Sequence, residues 1–86
     1  MDPEVAFGKV LRELRRRAEL SQEALALEAD LQRNYISMLE RGLNSASLRT
    51  LFKLAGVLDV PVSDMLILVE QEMAAQGRLS KKRIHR

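Results

Sequence analysis

The chain contains no cysteine, and its one histidine, His85, is the last residue but one. The absence of thiols excludes disulfides, zinc sites built on thiolates and thiol catalysis. A histidine at the chain end, outside any predicted helix, is not expected to bind a metal or to act as a general base. No glycine-rich phosphate loop is present either. These absences argue against an enzyme and predict no cofactor, no metal and no small-molecule substrate.

No stretch of the sequence approaches the run of about eighteen apolar residues that a membrane-spanning helix needs. The N-terminus reads Met1-Asp2-Pro3-Glu4, which is acidic where a secretory signal is basic. The sequence therefore predicts a cytoplasmic protein that makes no membrane contact.

Aromatic residues make up only 3% of the chain, and there are only four glycines and two prolines. Leu, Ala, Val, Ile and Met must therefore supply most of the 47% hydrophobic fraction and fill the core. This composition suits packed helices better than strands. Since 86 residues are enough for one small domain, we expect an all-α fold around a single core.

The formal net charge of +2 is too small to indicate a nucleic-acid partner by itself. Its distribution is more informative. The last ten residues contain five basic side chains and no acid, whereas residues 1–76 contain nine basic and twelve acidic side chains, a net charge of −3. Any DNA-binding face must therefore be a local patch on the folded part.

Apolar residues recur at helical spacing in five segments. Helix 1 is predicted over about 5–18, helix 2 from Ser21 to about Ala29, helix 3 over Arg33–Glu40, helix 4 from Ser47, and helix 5 from Pro61 to about Gln76. Ser21 and Ser47 are predicted N-caps, and Gly42 is a predicted left-handed C-cap. Asp30 and Leu31 should form a tight turn, since aspartate tolerates positive φ.

The same spacing predicts one inward face for each of the first four helices. These faces are Phe7, Val10, Leu11, Leu14 and Ala18 in helix 1; Leu25, Ala26 and Ala29 in helix 2; Ile36, Leu39 and part of Tyr35 in helix 3; and Leu48, Leu51, Leu54, Ala55 and Leu58 in helix 4. Gly77 begins a basic segment without apolar periodicity, so residues 1–76 are the predicted domain and 77–86 a disordered tail. That tail either follows a DNA backbone or stays solvated.

Helices 2 and 3 have the spacing of a helix-turn-helix, which by itself is a moderate signal because any helical bundle contains such pairs. The segments LSQEALA (20–26), LQRNYIS (31–37) and LERG (39–42) make the pattern more specific. Over about residues 6–66 the chain resembles the Xre family of lambda-repressor-like domains. The resemblance implies a five-helix fold in which helix 3 enters the major groove and helix 2 lies across the DNA backbone.

Polar side chains at the start of helix 3 are the candidate base contacts. The major groove is wide enough for one α-helix, whose N-terminal residues then reach the base edges. Arg33 can donate two parallel hydrogen bonds to guanine, and Gln32 or Asn34 can both donate to and accept from adenine. Ser37 and Met38, one turn further along, occupy positions that the family uses for bases. The alternative is a solvated helix start with a glutamine or asparagine cap.

Phosphate contacts are predicted at both ends of this motif. Gln22 begins helix 2, where free backbone N–H groups favour a phosphate, and the family's glutamine there also props the recognition helix. Arg41, Asn44 and Ser45 resemble the stretch that grips the DNA backbone beyond helix 3. An ordinary polar first-turn residue is the alternative for Gln22.

Glu40 is unexpected so close to a polyanion. The family pairs its helix-3 glutamate with a helix-1 arginine, which here implies a structural ion pair between Arg15 and Glu40, with Arg12 and Arg16 as alternatives. The chain also departs from the family pattern. Glu19 and Asp30 stand where the family usually has glycine, and Ala46 stands where a proline is common.

Helix 5 is apolar nearly all round, which is more than one inward stripe requires. We therefore predict a homodimer, with an interface that includes Met65, Leu66, Leu68, Val69 and Met73. The alternative is that Met65, Leu66 and Val69 complete the monomer core. A twofold dimer would present two recognition helices to half-sites about 34 Å apart.

Taken together, the sequence predicts sequence-specific binding to double-stranded DNA by a dimeric transcriptional regulator, most simply a repressor on a palindromic operator. The alternative is a protein-interaction module that uses the same fold, such as an antitoxin or a coregulator partner. A phage-type repressor, an antitoxin and a restriction controller remain equally open.

Overall fold

A computed structural model of the chain describes the backbone of residues 1–84 and the side chains of residues 1–77. Over this range the fold is all-α, as predicted, without strands. Its helices are α1 (Pro3–Arg17), α2 (Gln22–Ala29), α3 (Arg33–Glu40), α4 (Leu48–Leu58) and α5 (Val62–Ile84). None of them is both long enough and apolar enough to cross a bilayer.

Serine side chains start two of these helices. The Ser21 hydroxyl accepts a hydrogen bond from the backbone N–H of Ala24 at 3.0 Å, and the Ser47 hydroxyl accepts one from Thr50 at 3.1 Å. Each bond satisfies a donor that the helix leaves free in its first turn. Both predicted N-caps are confirmed.

Residues with a left-handed backbone conformation follow each of the helices α1 to α4 and lie in the turns between helices. Glu19 and Asp30 take φ values of 60° and 58°, and Gly42 takes 75°. A fourth such residue, Asp59, was not predicted and has φ 58°. Each non-glycine residue in this region costs about 1 kcal/mol, so the chain tolerates the family's missing glycines at a modest cost.

One core joins all five helices. Its fully buried large side chains are Leu11, Leu25, Ile36, Leu39, Leu54 and Met65. α1 packs against α3 and α5, and α2 packs against α3 and α4. The helix-turn-helix pair is therefore supported by α1 and α4, and α5 packs against both of these helices.

Gly8 allows α1 to approach the end of α3 closely. A Cβ atom at this position would lie 2.5 Å from the carbonyl oxygen of Leu39 and 2.6 Å from that of Glu40. No side chain fits in this space without moving backbone. This contact fixes α1 relative to α3 and brings the basic side chains of α1 within reach of Glu40.

Two predicted core positions are wrong. Leu48 is 68% exposed and Ala18 is also exposed, although both were assigned to inward faces. Leu48 is the first residue of α4, a turn before Leu51 and Leu54, so it lies beyond the edge of the core. Ala18 follows the last residue of α1 and is no longer on its helical face.

The predicted end of the last helix is also wrong. α5 continues to Ile84 instead of ending near Gln76, so residues 77–84 are helical and not a disordered tail. One glycine inside a helix costs only about 1 kcal/mol, and the leucine, lysines and arginines that follow Gly77 are good helix formers. The last two residues of the predicted tail lie outside the described residues. DNA contact and solvation remain the two alternatives for this basic segment.

Candidate nucleic-acid interface

The second helix of the helix-turn-helix, α3, has two chemically different faces. Ile36 and Leu39 are fully buried on the inner face. On the opposite face, the spacing of an α-helix aligns the predicted base contacts with the predicted phosphate contact Arg41. That outer face consists of Arg33, Asn34, Ser37, Met38 and Arg41, of which Arg33, Asn34 and Arg41 are exposed and Ser37 and Met38 are half-buried. The fold thus brings these predicted site residues together on one surface.

Gln32 occupies the N-cap position of α3 but does not use its side chain as a cap. Its backbone is extended, with φ −91° and ψ 142°, and its amide makes no capping hydrogen bond. Ser21 and Ser47 do make such bonds at the corresponding positions of α2 and α4. The exposed Gln32 amide is therefore available to a partner outside the chain.

Gln22 is turned toward α3. Its side-chain nitrogen Nε2 donates a hydrogen bond to Glu40 Oε1 at 3.0 Å, and the residue is half-buried. This contact connects the start of α2 to the end of α3. Because Gln22 is the first residue of α2, its backbone N–H has no partner within the helix. The predicted phosphate contact would use this backbone group, and it stays a prediction.

Glu40 and Arg15 form the ion pair that the family resemblance implies. Arg15 Nε lies 2.5 Å from Glu40 Oε2, and a terminal nitrogen of Arg15 lies 3.0 Å from Oε1. The other terminal nitrogen donates to the backbone carbonyl of Leu20 at 2.9 Å. The Glu40 side chain is fully buried and that of Arg15 is 11% exposed. The pair joins α1, the following turn and the end of α3.

The pKa of Glu40 reflects this setting. Burial by itself would raise the pKa, but hydrogen bonds from Arg15, Gln22 and Arg12 and the charge of Arg15 outweigh it, so the pKa lies below its ordinary value. The hydrogen bond to Glu40 correspondingly raises the pKa of Arg15. Glu40 therefore stays ionised and is neutralised within the fold, so an acid at this position is compatible with the candidate DNA-binding face beside it.

The loop after α3 contains the predicted phosphate contacts Asn44, half-buried, and Ser45, exposed. Two contacts that the sequence did not predict hold this loop. The Tyr35 hydroxyl donates to the Ser45 carbonyl at 3.5 Å, and the Ser45 hydroxyl donates to Glu4 Oε2 at 2.9 Å. A backbone hydrogen bond at Glu4 and the Ser45 bond lower the pKa of Glu4. Because Glu4 is 41 residues from Ser45, no local sequence pattern could indicate this contact.

α5 buries part of the predicted dimer interface inside the monomer. Met65 is fully buried and Val69 is 7% exposed, so the prediction is wrong for these two residues. Leu68 and Met73 are half-buried against the same core. α5 packs on both α1 and α4. Leu66 and Ile67 remain 41% and 48% exposed.

α4 exposes two large apolar side chains. One, Leu48, was predicted to face the core, and the other, Phe52, was not assigned to either face. Leu48 is 68% and Phe52 is 62% exposed. Four residues apart, they lie on one face of α4. On the neighbouring surface, Leu51 of α4 and Leu66 of α5 line a common cleft of about 200 Å³. Leu66 thus belongs both to this cleft and to the exposed apolar side chains.

Residues 11–65 match a helix-turn-helix family model, HTH_3. The match covers α2, α3 and most of the core residues that pack behind them. The chain belongs to the helix-turn-helix family of DNA-binding transcription regulators.

Among this family, the chain is similar to the control protein C.MunI of a Mycoplasma species. The two are 36% identical over 72 residues, which cover 83% of this chain and 97% of the relative. The matched region thus covers most of this chain and nearly all of the relative.

Solved structures of the family extend the likeness to three dimensions. The restriction-modification controller C.AhdI from Aeromonas hydrophila is 44% identical, with a TM-score of 0.70 over 72% of this chain and 94% of that one. The clp gene regulator ClgR from Corynebacterium glutamicum is 28% identical, with a TM-score of 0.90 over 96% and 88%. SinR, a regulator of biofilm formation solved in complex with DNA, is 33% identical, with a TM-score of 0.67 over 70% and 97%.

Proposed function

We propose that this helix-turn-helix regulator reads a specific double-stranded DNA sequence with the outer face of α3. The observation that carries the proposal is the separation of the two faces of α3. Ile36 and Leu39 hold the helix in the core, while the side chains of Gln32, Arg33 and Asn34 are exposed. Side chains of these types can form paired hydrogen bonds with guanine and adenine. SinR, a relative of the same fold, is known in complex with DNA.

Phosphate contacts on either side of this face would fix the helix in the groove. The backbone N–H of Gln22 lies at the start of α2, and Arg41, Asn44 and Ser45 lie beyond the end of α3. Contacts of this kind set register and affinity without reading sequence. Because the Ser45 hydroxyl already donates its one proton to Glu4, a phosphate contact at Ser45 would use the backbone N–H of that residue. The hydrogen bond from Tyr35 to the Ser45 carbonyl helps to position this loop.

We also propose that the chain acts as a homodimer, with the exposed side chains of α4 and α5 in the interface. Leu48, Phe52, Leu66 and Ile67 are accessible, unlike Met65 and Val69. A second copy would bury these exposed apolar side chains. Twofold symmetry then predicts an operator with inverted half-sites.

The biological role that the comparisons favour is control of a restriction-modification system, by repression or activation of a promoter. C.MunI is a control protein and C.AhdI is a restriction-modification controller. No enzymatic step belongs to this proposal, and a cytoplasmic location remains a prediction.

Selection of bound sequences from a random DNA pool tests the function. We expect a preferred site with two inverted half-sites whose centres are about one helical turn apart. If the purified dimer selects no preferred sequence, the proposal fails. The protein-interaction alternative from the sequence would then account for the fold.

Light scattering after size exclusion tests the dimer. At micromolar concentration we expect wild type to be dimeric and Phe52→Glu to be monomeric. Leu27→Glu is the matched control, because Leu27 is 81% exposed on α2 and lies outside the proposed interface. A monomeric wild type, or a Phe52→Glu variant that stays dimeric, would remove this interface.

A further inference from the structure

The carboxylate of Glu40 has more hydrogen-bond donors around it than are required to neutralise its charge. Arg15 contacts both oxygens, and Gln22 donates to Oε1 at 3.0 Å. Arg12 is a third partner, with its Nε 3.5 Å from Oε1, the longest of the side-chain contacts on this carboxylate. Arg15 is already paired with Glu40 through two bonds. The charge of Arg12 is therefore not required to neutralise Glu40.

The cluster of Arg12, Arg15 and Glu40 carries one surplus positive charge. Glu40 is fully buried and Arg15 is 11% exposed, whereas the Arg12 side chain is 48% exposed. The surplus charge thus lies at the surface, on Arg12. Within residues 1–77, the Nε bond to Glu40 is the one hydrogen bond of its guanidinium group. Its two terminal nitrogens, with four N–H donors, remain available for an external acceptor.

Arg12 also lies beside the start of α2. Its Nε and Gln22 Nε2 approach the same oxygen atom, so the two nitrogens are at most 6.5 Å apart. Gln22 begins the helix whose free backbone N–H groups favour an anion. A phosphate next to Gln22 would therefore be within reach of a guanidinium that is anchored at one end and free at the other. Charge-assisted bonds of this kind are among the stronger hydrogen bonds in proteins.

We propose that Arg12 binds a DNA backbone phosphate beside the N-terminus of α2. The hydrogen bond from Arg12 to Glu40 links this phosphate contact to α3. The same carboxylate therefore positions both Gln22 and Arg12 relative to the outer face of α3. Two other α1 arginines differ from it. Arg15 is enclosed, and Arg17 pairs with Glu13 on its own helix at 3.4 Å. This inference rests on the proposed DNA-binding function.

The salt dependence of DNA binding tests this role. With a site taken from the random pool, fluorescence anisotropy gives the affinity of wild type, Arg12→Ala, Arg12→Lys and Arg17→Ala at several salt concentrations. We expect Arg12→Ala to reduce the slope of log affinity against log salt by about 0.9, the value for one phosphate. Specific and non-specific binding should weaken by a similar factor, because a phosphate contact reads no sequence. Arg12→Lys should keep most of the slope, and Arg17→Ala should leave it nearly unchanged.

A second measurement identifies the phosphate. Single uncharged methylphosphonates are placed along the site, one at a time. One position should weaken wild-type binding several-fold and have little further effect on Arg12→Ala. Thermal unfolding of Arg12→Ala should stay close to wild type, since Glu40 retains Arg15 and Gln22.

Three results would overturn the role of Arg12. They are an unchanged salt slope in Arg12→Ala, a slope change no larger than that of Arg17→Ala, and a methylphosphonate scan in which wild type and Arg12→Ala respond alike at every position. A wild-type chain that selects no DNA site would overturn both proposals. Wild type that binds a selected site while Arg12→Ala keeps its slope would overturn only this one.

Discussion

The two faces of α3 differ in what their side chains contact. The inner face places Ile36 and Leu39 in the core and gives Glu40 three partners from α1 and α2. The outer face leaves Arg33 and Asn34 exposed. We therefore expect stability and the proposed DNA recognition to depend on different residues of this eight-residue helix. Substitutions on the inner side should unfold the protein, and substitutions on the outer side should change only DNA binding.

The largest effect is expected for Arg15→Ala, which leaves the buried carboxylate of Glu40 without its main partner. Breaking a buried pair from one side costs about 3–5 kcal/mol. Urea unfolding followed by circular dichroism measures this loss. Arg17→Ala is the control, because its ion pair with Glu13 is exposed and should contribute less than about 1 kcal/mol. Equal stabilities of the two variants would contradict the structural role of the Arg15 pair.

Gly8→Ala should have the next largest effect, since the new methyl group would meet two backbone carbonyl oxygens at the end of α3. Overpacking of this kind costs about 1–3 kcal/mol. Gly56→Ala is a matched control in α4, where an added Cβ would have no neighbour within 4 Å. It should stabilise the protein by about 0.5–1 kcal/mol, because alanine is the better helix former. If both substitutions change the unfolding free energy in the same direction, the close approach of α1 and α3 is wrong.

Substitutions at two N-cap positions should have smaller effects on the unfolding free energy, and these effects should differ. Ser21→Ala removes an observed cap and should cost about 1 kcal/mol of unfolding free energy. Gln32→Ala removes no capping bond and should change stability by less than about 0.5 kcal/mol. Its effect should appear in DNA discrimination, by about 1–3 kcal/mol at one base pair. A stability loss in Gln32→Ala without a change in binding would make this residue structural.

The smallest effect in the usual working range is the pH dependence from Glu40. Because the folded-state pKa of Glu40 is lowered from 4.5, its ionised form stabilises the fold. That contribution is complete above about pH 4.5 and is lost as the pH falls through the lowered pKa. The difference in unfolding free energy between wild type and Glu40→Gln should therefore be constant from pH 7 to about 5 and shrink in stronger acid. A difference that grows as the pH falls would contradict the direction of the shift.

Much of this site could be predicted because its signals are local. The bounds of α3, the caps Ser21 and Ser47 and the left-handed Asp30 follow from residues within one or two turns of each other. The pairing of Arg15 with Glu40 spans 25 residues and came from the family resemblance, not from spacing.

The parts that could not be predicted depend on contacts between distant segments. The close approach at Gly8 and the contact of Glu4 with Ser45 join α1 to residues more than thirty positions away. On α5, apolar residues on several sides prevented periodicity from separating the core residues Met65 and Val69 from the exposed Leu66. Only the packing of α5 on α1 and α4 makes that distinction.

The most direct test of DNA reading by the outer face of α3 combines two measurements on Arg33→Ala. Binding is measured to the selected site and to a version in which one guanine pair is replaced, and urea unfolding is measured on the same protein. We expect Arg33→Ala to lose about 1–3 kcal/mol of discrimination at that base pair and to unfold like wild type. Full discrimination by Arg33→Ala at every guanine of the site would show that the outer face of α3 does not read bases through this residue.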